Sequence, residues 1–380
     1  MKNVWNFATP ESLIISPGAT SDIPEILEEL GIKRLYAVID PNVLKKNKEI
    51  KNIAGKLLES GACIFTEFTT NPTTNQVNES VSKYLEFKPD GVFVIGGGSA
   101  IDLTKSTILV SENGGIVEDY LGGKKGNKEF PIFIAAPTTC GTGSEASPYA
   151  VILDPKTKIK RGIEDSRFLP KLVILDQSLL STLDKTTLVS TSMDALSHIL
   201  ESYISTKANE ITRSSARGLL LGLKNNIEKA LSDDANAGGA MLNAAFSSRL
   251  LYPRTGLTIA HGLSHPLGAN TDIHHGAAVC FFLPISLQEN QPFCNTELTE
   301  ALSVLGFGGL DSFLKWFRKI CDESGITSYI QSYLSGIQLP VEDMARDAME
   351  SSNIRSNPKP VSQNDLVIII NKSILYWEIK

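Results

Sequence analysis

The stretch VFVIGGGSAIDLTKSTILV (92–110) decides the fold. A short apolar run meets three glycines and a serine, then a segment of helical character. Four apolar residues bounded by turn formers read as a parallel strand buried on both faces. Consecutive glycines let the backbone approach an anionic group closely, and a helix N-terminus behind them offers free N–H groups. Val92–Ile95, the turn Gly96-Gly97-Gly98-Ser99 and the helix-like Ala100–Val110 therefore read as a pyrophosphate-binding strand–turn–helix unit, against the plainer reading of a tight turn. The same rhythm continues outward. Leu35–Ile39 and Ile132–Ala135 are further short apolar runs, and Ile23–Leu30 and Val77–Leu85 have helical spacing. This alternation predicts a doubly wound α/β domain.

From about residue 185 the texture changes. Ser214–Leu231 and Leu310–Ile320 carry apolar residues at three- and four-residue spacing, and strand-like alternation nearly disappears. The second half is expected to be a helical domain, with the boundary near Asp184: residues 1–184 form the dinucleotide-binding domain and 185–380 the helical one.

A second glycine pattern, GTGSEA (141–146), matches the letters of a dinucleotide fingerprint. YAVIL (149–153) follows it and reads as a strand, and without a helix the fingerprint loses its mechanism. Thr138–Ser144 reads instead as a loop whose hydroxyls and amides surround a ligand. Asp40 ends the run Leu35–Ile39. A carboxylate there can accept hydrogen bonds from a ribose and would repel a 2′-phosphate, favouring NAD over NADP; an Asp40-Pro41 turn explains it equally well.

Apolar residues make up 42% of the 380-residue chain and charged residues 21%. A net charge of −6 with no basic tract excludes a nucleic-acid partner. The cysteines at 63, 140, 280, 294 and 321 form no C-x-x-C pair and read as reduced, mostly buried thiols. Lys2 is followed by no apolar leader run, and the longest apolar stretch, Ala277–Leu283, is too short for a bilayer. A cytoplasmic protein with a small-molecule substrate and no membrane partner is expected.

The histidines are few and crowded: His198, His261, His265, His274 and His275 are all there are. Asp194 precedes His198 by four residues, and His261 precedes His265 by the same spacing, which puts each pair on one helix face. His275 follows after Gly268 and Asn270 allow the chain to return. A carboxylate with three imidazoles suits a borderline divalent cation such as Fe²⁺ or Zn²⁺. His274 is not expected as a second ligand, because neighbours on a chain point in different directions.

At this point GGGSAIDLTK (96–105), PTTCGTGSEAS (137–147), DALSHILESY (194–203) and HGLSHPLGANTDIHHG (261–276), in this order, resemble the iron-containing, or group III, alcohol dehydrogenases. Arg355-Ser356-Asn357-Pro358 with Val361–Leu366 is similar to that family's closing stretch, so the resemblance covers essentially the whole chain. It implies a Rossmann-like N-terminal domain and an all-α C-terminal domain, the dehydroquinate synthase-like architecture. It implies Asp194, His198, His261 and His275 as ligands of Fe²⁺, with Zn²⁺ the other candidate, and His265 as a proton relay. It places Gly97, Gly98 and Ser99 at the pyrophosphate, with Asp102 on the helix behind them. Thr138, Thr139 and Thr142 fall at the nicotinamide and its ribose. Asn71, Lys160 and Leu179 match further cofactor positions, and Asp40 the position that favours NAD.

The activity implied is metal-dependent, NAD(H)-linked interconversion of an alcohol and an aldehyde or ketone, by a homodimer. A glycerol-type polyol dehydrogenase and a maleylacetate-type reductase on the same scaffold are rival readings. A non-catalytic metal- and nucleotide-binding regulator is the rival from another class. Two departures bear on the site. His274 stands where many relatives carry another residue, and Cys140 replaces a common Ala and would be open to oxidation if exposed.

Overall fold

Every residue of 35–39 and 91–96 is buried, as strands covered on both faces require. The computed structural model of the chain describes residues 8–232 and 237–379, in two compact units, Met1–Thr182 and Leu183–Lys380.

The strands of the first unit are β1 (Ser12–Ile15), β2 (Leu35–Ile39), β3 (Cys63–Phe65), β4 (Gly91–Gly96), β5 (Ile132–Pro137), β6 (Tyr149–Asp154), β7 (Ile159–Glu164) and β8 (Leu172–Leu175). Its helices are α1 (Ile23–Glu29), α2 (Pro41–Lys46), α3 (Lys48–Glu59), α4 (Thr74–Phe87), α5 (Gly98–Asn113) and α6 (Val117–Leu121). Six strands form a parallel sheet in the order β1-β8-β5-β4-β2-β3. Alternation of side chains gives the sheet two cores. Tyr36, Val38, Val92, Val94 and Phe133 pack towards α4 and α5, whereas Ala37, Ile39, Phe93, Ile95 and Ile134 pack towards α1 and α3. β6 and β7 pair antiparallel as a separate hairpin. The segment after GTGSEA is thus a strand, as its sequence predicts.

Topology singles out one place on this sheet. From β2 the chain moves outward to β3, and from β4 it moves the other way to β5. The crevice beyond the carboxyl ends of β2 and β4 is therefore the switch point, where open α/β sheets bind their ligands. Asp40 follows β2 and Gly97 follows β4, and the Asp40 N–H donates to the Ile95 carbonyl at 2.9 Å.

The second unit contains α7 (Lys185–Ile204), α8 (Glu210–Leu220), α9 (Leu223–Leu231), α10 (Ala237–Ser248), α11 (Tyr252–Thr255), α12 (Ile259–Thr271), α13 (His275–Val304), α14 (Leu310–Glu323), α15 (Ile326–Leu334), α16 (Val341–Met349) and α17 (Gln363–Tyr376). It is helical among its described residues, as expected. α7 is buried on all sides from Val189 to Ile204 and packs along α13, whose first half is buried in the same way. At Gly276 a Cβ would stand 2.6 Å from the Ser190 carbonyl oxygen. Glycine there lets the start of α13 lie against the α7 backbone, four residues before Asp194.

The helical spacing of Ser214–Leu231 spans two helices, because Gly222, at a φ of 77° that side-chain-bearing residues avoid, breaks the run between α8 and α9. One local expectation is corrected. The return towards His275 is not made at Gly268 and Asn270, which both lie inside α12. Asp272, in the left-handed region at φ 58°, makes it.

Candidate functional site

In the first unit, Gly97 is the N-cap of α5 and brings no side-chain cap, so the first-turn N–H groups face outward with the positive end of the helix dipole. A Cβ on Gly97 would lie 3.0 Å from Thr139 Cγ2, and one on Gly98 would lie 2.6 Å from Thr142 Oγ1. The glycines thus do more than the sequence suggests: they admit the threonine loop as well as leaving room for an anion. Thr138 is buried, and its N–H donates to the Gly96 carbonyl at 3.1 Å, fixing that loop to the end of β4. Thr139 and Thr142 remain partly accessible.

Lys105, fully buried on α5, holds the far end of the loop. Its ammonium donates to the carbonyls of Ser144, Ser147 and Tyr149 at 2.6, 2.7 and 2.9 Å. Asn71, Ser99 and Lys160 come together although far apart in sequence. The Asn71 N–H donates to Ser99 Oγ at 3.3 Å, and Lys160 Nζ donates to Asn71 Oδ1 at 2.8 Å.

Asp40 caps α2, its Oδ1 accepting from the N–H groups of Asn42 and Val43 at 2.8 and 3.4 Å. The turn-forming reading is therefore realised, and only one carboxylate oxygen is engaged in it. Asp102 Oδ2 accepts from the Val151 N–H at 3.0 Å, joining α5 to β6. Leu179 is fully buried in the core that contains Ile95. Cys140 is fully buried as well, so the exposure that would make it oxidation-prone is absent.

In the second unit, three helices bring the metal-type residues together. Asp194 and His198 come from one face of α7, His261 and His265 from α12, and His275 from the first residue of α13. Asp194 Oδ1 lies 3.2 Å from His261 Nε2, 3.7 Å from His275 Nε2 and 3.9 Å from His198 Nε2. Ligand atoms of Asp194, His261 and His275 all fall within 4.8 Å of one another. Two ligands each about 2.1 Å from a common ion stand roughly 3–4 Å apart, so the spacing fits a metal. Asp194 Oδ2 is buried and has no hydrogen-bond partner among the described residues, which fits a carboxylate kept for an ion.

His198 stacks between His261 and Tyr252, with ring centroids 4.4 and 4.6 Å away. His265 is partly accessible, its ring centroid 5.6 Å from that of His275. The backbone N–H of His274 donates to the Tyr329 hydroxyl at 3.3 Å.

The charges respond to this crowding. Burial alone would raise the Asp194 carboxyl, but His275, His261 and Arg249 outweigh it and hold it below the ordinary carboxylate range. Burial opposes protonation of His261, yet the carboxylates of Glu201 and Asp194 prevail and its pKa is pushed up to about 9. Such a site attracts positive charge strongly. The sequence reading passes over Glu201, whose Oε1 lies 2.7 Å from His261 Nδ1. Its signal was present, since Glu201 continues the Asp194–His198 face at the seventh residue.

Comparison with known proteins gives one answer for both units. Residues 10–177 match the family described as iron-containing alcohol dehydrogenase. Residues 188–374 match the C-terminal domain of the Fe-containing alcohol dehydrogenase family. The chain is 28% identical to the NAD-dependent methanol dehydrogenase of Bacillus methanolicus, across 97% of this chain and 100% of that protein. It is 26% identical to the 1,3-propanediol dehydrogenase of Klebsiella pneumoniae, across 97% and 99%. Among solved structures, an alcohol dehydrogenase from Oenococcus oeni is similar with a TM-score of 0.88 at 25% identity, covering 97% of this chain and 100% of that one. An iron-containing alcohol dehydrogenase from Thermotoga maritima gives 0.83 at 26% identity, covering 97% and 99%.

Proposed function

This chain belongs to the iron-containing alcohol dehydrogenase family, and from that premise we propose that it is a metal-dependent NAD(H) oxidoreductase interconverting an alcohol and an aldehyde or ketone. The observation that carries the reading is the convergence of three imidazole Nε2 atoms on one oxygen of a buried aspartate whose other oxygen has no partner. Asp194, His198, His261 and His275 would hold Fe²⁺, or Zn²⁺ in its place. When bound, the metal supplies Lewis acidity at the substrate oxygen and NAD supplies the carbon that gives or takes hydride.

The chain's own residues do the rest. Gly97, Gly98 and Ser99 present backbone N–H groups to the pyrophosphate at the start of α5. Asp40 offers its remaining carboxylate oxygen to the adenosine ribose and repels a 2′-phosphate, which favours NAD over NADP. Thr138, Thr139 and Thr142 line the nicotinamide end. Asn71 and Lys160, bonded to each other, contact the cofactor from the β7 side, while Asp102 and Leu179 support it from α5 and from behind β8. His265, accessible and beside the metal ligands, moves the proton. Residues 1–184 act as the dinucleotide-binding domain and 185–380 as the metal-binding and catalytic one. The family resemblance further supports a homodimer working in the cytoplasm.

The test is NADH oxidation with a panel of short, hydroxylated and acidic aldehydes, on protein stripped of metal and reloaded anaerobically with Fe²⁺ or Zn²⁺. Turnover that depends on the added metal is the expected result. Turnover indifferent to the added metal would overturn the reading, and NADH binding without turnover under either metal would point first to a substrate outside the panel and then to a regulator.

A further inference from the structure

Glu201 is a carboxylate with no exposed surface, and the proposed ligand set gives it no task. A buried carboxylate is costly unless donors surround it, and here they do. Oε1 lies 2.7 Å from His261 Nδ1. Oε2 accepts from the Thr258 N–H at 2.5 Å and from the Thr258 hydroxyl at 2.7 Å. Thr258 is the N-cap of α12, and its own side chain makes no cap bond. Glu201 therefore reaches from α7 to α12 twice, once to the backbone at the helix start and once to the imidazole one turn on.

A neutral imidazole carries a single N–H. With that proton on Nδ1 and given to Glu201, the lone pair sits on Nε2. Nε2 is the atom that lies 3.2 Å from Asp194 Oδ1. Hydrogen bonding of the distal nitrogen to a carboxylate orients a metal-ligating histidine and raises its basicity. We propose that Glu201 is the positioning residue of the metal centre, fixing His261 as its Nδ1–H tautomer with Nε2 directed at the ion. The inference rests on the reading of Asp194, His198, His261 and His275 as a divalent-metal site.

A glutamine cannot replace this carboxylate. If its carbonyl faces His261, its NH₂ meets the Thr258 N–H donor to donor; if it turns round, His261 loses its acceptor. The hydroxyl of Thr258, by contrast, is a contact of Glu201 that does not touch the imidazole. Zn²⁺ affinity is measured on the full chain by competition with a chromophoric chelator, for wild type, Glu201→Gln and Thr258→Val. Glu201→Gln should bind Zn²⁺ about 10- to 100-fold more weakly. Thr258→Val should stay within about threefold of wild type, because it perturbs the helix start and leaves the imidazole's bond in place.

A second measurement needs no variant at Glu201. Imidazole ¹⁵N spectra of Zn²⁺-loaded wild type should show His261 with its proton on Nδ1 and the metal on Nε2, His261 being assigned by through-bond correlation of its ring with its own backbone. Equal affinities for wild type and Glu201→Gln would overturn the proposal, and so would a proton on Nε2. A wild type that fails to take up Zn²⁺ or Fe²⁺ at all would instead overturn the metal-centre reading beneath it.

Discussion

Asp176 in the first unit and Asp194 in the second are the same residue at the same depth, 0% and 1% exposed, yet their partners differ completely. Asp176 is saturated. Its oxygens accept from the N–H groups of Gly18, Thr20 and Ser178 at 2.8, 3.0 and 2.9 Å, and from the hydroxyls of Thr20 and Ser178. It fastens the segment after β1 to the end of β8. Asp194 is approached by imidazoles on one oxygen, while the other has no hydrogen-bond partner among the described residues. Burial alone therefore does not separate a structural carboxylate from one held ready for chemistry. The identity of the partners does: fixed backbone and hydroxyl donors in one case, groups that can themselves bind a cation in the other.

Asparagine at each position sharpens the contrast. Asp194→Asn should abolish metal uptake and lower turnover by at least about 10³-fold, since a Lewis acid takes several kcal/mol off the barrier. Metal analysis together with kcat checks it, and a variant that keeps its metal would break the comparison. Asp176→Asn should lower stability by about 3 kcal/mol, because an amide turns one acceptor into a donor facing donors. The rise in Tm on adding metal should survive in that variant and vanish in Asp194→Asn.

Acid should expose the difference as well. Burial would raise the Asp176 carboxyl, but the Ser178 and Thr20 donors outweigh it and depress its pKa. A depressed carboxylate contributes fully above its unfolded value, about 3.9, and loses that contribution as pH falls through the folded one. The stability gap between wild type and Asp176→Asn should stay level from neutral pH to about 4 and close below it. Denaturant titrations across this range decide the point; a gap that closes near neutrality would be wrong for this residue.

The smallest effect is expected at Asp40. Asp40→Asn keeps the acceptor that caps α2 and removes only the charge, so stability should change by less than about 0.5 kcal/mol. The preference for NAD over NADP should fall about fivefold, as for an exposed charge pair. Paired kcat/KM values for the two cofactors measure it, and an unchanged ratio would leave Asp40 with its capping role alone.

How far the sequence could be read follows from the same distinction. β2, β4 and β5 are short apolar runs covered by helices on both faces of the sheet, so nearly every position is apolar, the signal lies within the run itself, and their limits are nearly right. β1 is a four-residue strand at the sheet edge with mixed exposure, and nothing in Ser12–Ile15 marks it. β8, Leu172–Leu175, is an apolar run of the same local kind and equally legible.

In the site, the histidine spacing was visible because i and i+4 share a face. Glu201 lies on that same face and was legible to that extent, but its partners, like those of Lys105, were not, because they stand on other elements: Thr258 and His261 for one, three backbone carbonyls for the other. The glycine loop was legible as a turn. Its clearance from Thr139 and Thr142 was not, since a contact between loops about forty residues apart leaves no periodic trace.

Asp194 and His261 are 67 positions apart along the chain. An ion shared between them is a removable cross-link that closes a long loop and withdraws chain entropy from the unfolded state. Each tenfold increase in free ion above its dissociation constant then adds about 1.4 kcal/mol to the folded form. With an ion bound there, survival of this unit against proteolysis would become a readout of metal supply, and a chelator would lower its stability much as a denaturant does.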